Sequence, residues 1–100
     1  MLFINPLNFY IMEFRKVQVL KSVYLESPKG WELKESKTMY YTPAEYLRFV
    51  SNDTLQWFRR IGSKQVVQRS YTSYGHQITK LSSYSPDNSE KHVYNFRFIN

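Results

Sequence analysis

Residues 42–62 read TPAEYLRFVSNDTLQWFRRIG, and where this stretch starts and stops decides the architecture. Thr42 occupies an N-cap position, Pro43 the first helical position, and Glu45 follows three residues after the cap. That is a capping box, in which the hydroxyl and the carboxylate satisfy amide N–H groups that a first turn leaves unpaired. The spacing predicts a helix starting at Pro43. Its apolar face runs through Tyr46 or Leu47, Val50, Thr54 or Leu55, Phe58 and Ile61, close to three-to-four spacing. Ser51-Asn52-Asp53 is polar and can cap a second start, so the segment reads as one kinked helix or two short ones, broken near Ser51–Asp53. Gly62 provides a left-handed stop. Arg59 and Arg60 fall in the last turn, where cations complement the helix dipole.

On both sides of this segment the pattern changes to alternation. Val17, Val19, Val23 and Leu25 fall on one side of a strand, with Lys16, Gln18 and Ser22 on the other. Ser27-Pro28-Lys29-Gly30 is a tight turn. Trp31, Leu33, Met39 and Tyr41 share a parity interrupted by Glu35 and Lys37, which predicts a second strand that frays or bulges in its middle. After Gly62, strands are expected from Lys64 to Tyr71, from Gln77 to Tyr84 and from His92 to Ile99. They are joined by turns at Ser73-Tyr74-Gly75-His76 and Ser85-Pro86-Asp87-Asn88. In the last strand Tyr94, Phe96 and Phe98 alternate with Asn95 and Arg97. The resulting order is β-β-α-β-β-β: an α+β domain, mainly an antiparallel sheet of about five strands backed by one helical layer.

A chain of 100 residues is one domain, with a core but no room for a deep separate cavity. Residues 12–100 form that domain. Residues 1–11, MLFINPLNFYI, are apolar, uncharged and too short to cross a membrane as a helix. They lack the cationic start and small-residue cleavage site of a secretory signal. They read as an extension upstream of a natural start at Met12, or as a hydrophobic arm or edge strand that docks on the domain or on a second copy. Homodimerisation through this arm or through an edge strand follows from the second reading.

The composition excludes several chemistries. Cysteine is absent, which removes disulfides, thiolate catalysis and Cys-based metal sites and fits a protein of the cytoplasm. His76 and His92 lie sixteen positions apart without an acid pair nearby, so neither metal nor cofactor is expected; His76 reads as a turn residue and His92 as a strand residue on the open face of the sheet. Glu45, Asp53 and Asp87 have capping or turn roles, and no pair of carboxylates is placed for general acid–base work. Phosphate-loop, nucleophile-elbow and dinucleotide-binding motifs are missing. An enzyme is therefore not the favoured class.

The charge pattern points to a polyanion. The net charge is +6, and between Thr54 and Pro86 five cations occur (Arg59, Arg60, Lys64, Arg69 and Lys80) with no Asp or Glu. Trp57, Tyr71, Tyr74 and Tyr84 are interleaved with them. Nucleic-acid surfaces combine cations for phosphates with flat rings for bases, so Arg59, Arg60, Lys64, Arg69, Tyr71, Tyr74, His76 and Lys80 are the candidate contact residues. The same pattern suits strands whose basic residues only keep an edge soluble. An acidic host-protein surface is the alternative partner. A metal-independent ribonuclease built from Arg69, Tyr74, His76 and Lys80 is the second alternative.

The segment LQWFRRIGSKQVVQRSYTSYGHQITKLSSYSPDNSEKHVYNFRF resembles the C-terminal part of small uncharacterised proteins of phages and prophages of Gram-positive bacteria. The features that carry the resemblance are a helix ending near Gly, a Ser/Arg-Tyr-Thr strand, a Gly turn and a Ser-Pro-Asp turn. It covers residues 54–98 and implies a small accessory protein that binds something inside a host cell.

Overall fold

The computed structural model describes residues 14–51, 54, 56, 59, 60 and 62–100. The capping box forms as the sequence predicts. Thr42 Oγ1 accepts from the Glu45 amide at 3.1 Å, and Glu45 Oε1 accepts from the Thr42 amide at 2.8 Å. The helix that follows, α1 (Pro43–Phe49), is short. Val50 closes it, and the Arg48 carbonyl accepts from the Ser51 amide at 3.4 Å and from the Thr54 hydroxyl at 2.9 Å. Ser51 Oγ accepts from the Thr54 amide at 3.3 Å, so Ser51 caps the second helical start. Thr54, Gln56, Arg59 and Arg60 are helical. The segment is two short helical pieces, and the Gly62 amide ends the second on the Arg59 carbonyl with φ +86°. The expected inward positions Leu55, Phe58 and Ile61, and residues 1–13, lie outside the described residues.

The strands are β1 (Lys16–Ser27), β2 (Gly30–Tyr41), β3 (Lys64–Thr72), β4 (Gly75–Tyr84) and β5 (Glu90–Ile99). They form one antiparallel five-stranded sheet in the order β2-β1-β5-β4-β3. The fold matches the expected element order but is mainly β, with α1 a small cover rather than a full layer.

The core lies between α1 and one side of the sheet. Val17, Val19, Ile78, Leu81 and Phe96 are buried there with Phe14 and Tyr46. Tyr46, 1% exposed, meets Phe14, Phe96 and Phe98 edge-on at centroid distances of 6.1, 5.2 and 5.1 Å. Its hydroxyl donates to the Ile78 carbonyl at 2.8 Å, and burial pushes its pKa up to about 12.

Two bulges set which residues face that core. In β2, Glu35 pairs with Val23 but Leu33 pairs with Tyr24, leaving Lys34 as the extra residue. Trp31 and Leu33 therefore stand on the opposite side from Met39 and Tyr41, and the parity they share in sequence does not survive in the sheet. In β4, Lys80 pairs with Gln68 and Ile78 with Arg69, so Thr79 is extra. That bulge turns both Ile78 and Leu81 inward although they are three residues apart. His92 pairs with Val23 and Ser83 on the helix-backed side, where it contacts Glu90. The expectation that it faces the open side is corrected: His92 shares the parity of Tyr94 and Phe96.

Candidate nucleic-acid interface

The predicted contact residues divide between the two sides of the sheet. Lys64 and Lys80 stand on the side away from α1, because Lys64 pairs with Tyr84, and Lys80 with Gln68 and Asn95. Arg69 stands on the helix-backed side opposite the buried Ile78, close enough to Tyr46 to favour its phenolate electrostatically. Tyr71 and His76 pair two residues further along on that same side. Tyr71 is 86% exposed, and its ring lies 4.5 Å from that of His76 at 30°. Tyr74 is committed elsewhere: its ring packs on Phe14 at 5.7 Å, which makes it an edge of the core rather than a free stacking platform. Arg59 and Arg60 are exposed on the second helical piece. Lys80 and the pair Arg69–His76 are separated by the sheet, so the four-residue ribonuclease constellation does not assemble.

The side away from α1 is the more coherent surface, and among the described residues no helix or strand covers it. The register aligns three rows of side chains across β1, β5, β4 and β3. One row is Tyr24–Lys91–Tyr84–Lys64, an alternation of ring and cation. The middle row is Ser22–Val93–Ser82–Val66, and the third is Leu20–Asn95–Lys80–Gln68. Ser22, Val93 and Ser82 are buried although no described element lies above them, as expected where longer side chains flank short ones on both sides. The result is a trough of about 360 Å³ with a small-residue floor.

Cations and rings in this surface touch. The Lys91 ammonium lies 4.9 Å from the Trp31 ring centroid, 5.1 Å from Tyr24 and 5.9 Å from Tyr84. Trp31 reaches across from β2, and its ring lies 5.9 Å from Tyr84. Lys64 lies 5.8 Å over Tyr84, and Lys16 lies 5.1 Å over Tyr40. The strands place five cations on this side (Lys16, Lys64, Lys80, Lys91 and Arg97) against the single carboxylate of Glu26. Lys91, Tyr24, Trp31 and Asn95 were not candidates from sequence. They belong to strands distant in the chain, and only the register brings them beside Lys64, Lys80 and Tyr84.

The arrangement offers cations for phosphates, rings for stacking and side-chain amides for hydrogen bonding. Among the described residues no group of three His, Cys, Asp or Glu side chains is placed to hold a metal ion, and no helix is long and apolar enough to cross a membrane. Comparison with protein-family models, curated proteins and solved structures finds no match for this chain.

Proposed function

We propose that this is a small non-enzymatic binding protein that holds nucleic acid on the basic, aromatic side of its sheet. The observation that carries the reading is the contact of Lys91, Lys64 and Lys16 with aromatic rings on a side where cations outnumber carboxylates five to one. A lysine resting on a ring keeps its ammonium at the surface, where it can meet a phosphate while the ring remains available to a base. The setting we assign, a phage or mobile-element accessory protein in the cytoplasm of a host cell, rests on the resemblance of residues 54–98 and on the absence of Cys. The test is retention of labelled nucleic acid in a gel at low salt. About four phosphate contacts imply a roughly 100-fold loss of affinity between 50 and 200 mM salt. No retention of either single- or double-stranded probe at low salt would end this reading.

A specific observation supports a second reading, an inhibitor that covers an acidic surface of a host protein. Leu20, Leu33, Tyr40 and Val66 are exposed on the same side as the cations, and exposed apolar residues beside charge suit a protein contact. A pull-down from host lysate, with and without nuclease, separates the two: a stoichiometric protein partner that survives nuclease favours inhibition.

A further inference from the structure

We infer that the trough takes a single nucleic-acid strand lying across the β-strands, with bases stacked on Tyr84 and Tyr24 in place of the Lys91 ammonium. The inference rests on the nucleic-acid reading above and specifies the ligand class and the side chains that choose it.

The dimensions come first. The two walls are rows four residues apart along each strand, so their Cα atoms are about 14 Å apart at the usual strand rise. Side chains of both walls narrow this further, and the floor of Val93 and Ser82 lies between them. One chain with unstacked bases fits such a slot. A duplex is too wide to enter and can meet only the rim, through Lys64, Lys80 and Arg97.

The walls differ in chemistry. One alternates ring and cation, Tyr24–Lys91–Tyr84–Lys64, a spacing that suits bases and phosphates taken in turn. The other offers Asn95 and Gln68, whose amides both donate and accept, so base edges turned towards it find partners of either kind. Lys91 links the empty and filled states. Its half-buried side chain now holds the ammonium within 5.9 Å of three rings. A base arriving on Tyr84 replaces that contact with a larger stacked area, and the displaced ammonium is already beside the incoming backbone.

The test is fluorescence anisotropy at one low salt concentration, with labelled dT12 and with the blunt dA12·dT12 duplex. The wild type should bind the single strand at least tenfold more tightly than the duplex. Tyr84→Ala should weaken single-strand binding by roughly 10- to 100-fold and leave duplex binding unchanged, while Tyr84→Phe keeps the ring and should bind as the wild type does. Ser82→Leu fills the floor without altering charge and should likewise lose only the single strand. Circular dichroism and thermal melting establish that each variant is folded. Equal binding of both probes, or a folded Tyr84→Ala that keeps full single-strand affinity, overturns the inference and leaves the nucleic-acid reading standing. Failure of the wild type to bind either probe removes that reading, and the inference with it.

Discussion

Tyr46 joins α1 to the sheet by both packing and a hydrogen bond, and its chemistry makes the joint sensitive to alkali. The phenol is buried and donates to the Ile78 carbonyl at 2.8 Å. Its pKa is raised to about 12, chiefly because burial penalises the phenolate. An unfolded tyrosine titrates near 10, so between those values the folded state binds more protons than the unfolded one. Stability from this group is therefore complete below pH 10 and is lost as pH rises through about 12. Two units correspond to at most about 2.7 kcal/mol. Burial raises Tyr41 and Tyr94 as well, which adds in the same direction. Urea denaturation at pH 8 and pH 11 should show a marked drop for the wild type and a smaller one for Tyr46→Phe. At pH 8 that variant should itself be about 1 kcal/mol less stable, having left the Ile78 carbonyl without its donor; an equal drop in both proteins would show that Tyr46 does not govern the alkaline limit. At the acid end, Asp87 accepts from the Ser85 and Ser89 hydroxyls and the Ser89 amide, which lowers its pKa to about 2. Its support of the β4–β5 turn is thus full above about pH 4 and fades only as pH falls through about 2.

Among the elements, those whose signals are local were legible and those that depend on pairing were not. Thr42 and Glu45 lie three residues apart and make their bonds whatever the rest of the chain does, so the start of α1 could be read directly. Because those bonds hold the entry to a helix of only seven residues, Thr42→Ala should cost about 1 kcal/mol in chemical denaturation. A change under a few tenths would mean that packing of Tyr46 alone holds the element. The turns at Pro28–Lys29 and Pro86–Asn88 were equally plain, and Asn88 adopts the positive φ of 60° that Asn tolerates. The side on which a residue stands, by contrast, depends on bulges. The extra Lys34 in β2 and the extra Thr79 in β4 each invert the parity of every residue beyond them. Trp31 thereby joins Lys91 and Tyr84 instead of the core, and Ile78 and His76 turn towards the helix side. The acid-free run from Thr54 to Pro86 stops before Lys91. Strand alternation also sends its members to both sides of the sheet.

On the scale of the whole molecule, the described chain is elongated, 59 × 27 × 19 Å, with a Cα radius of gyration of 16.0 Å where about 13 Å is usual for this length. The small α1 lies over the side of the sheet that holds the core, and among the described residues no element covers the other side. Positive charge is present on both sides, and the sides can be tested against each other at equal change in charge. Lys64→Glu with Lys80→Glu reverses two cations beside the trough, whereas Arg59→Glu with Arg60→Glu reverses two on the second helical piece. If binding were governed by net charge, both doubles, each shifting the chain by −4, would lose the same affinity. If the trough is the site, the lysine double loses two direct phosphate contacts and should bind single-stranded DNA at least 100-fold more weakly at 50 mM salt. The slope of log K against log salt should then become shallower by about 1.4, taking 0.7 per single-strand contact. The arginine double loses only long-range attraction, which a Debye length near 10 Å at 0.1 M salt largely screens, and its slope should be unchanged. Equal losses and equal slopes in the two doubles would move the site off the open side of the sheet.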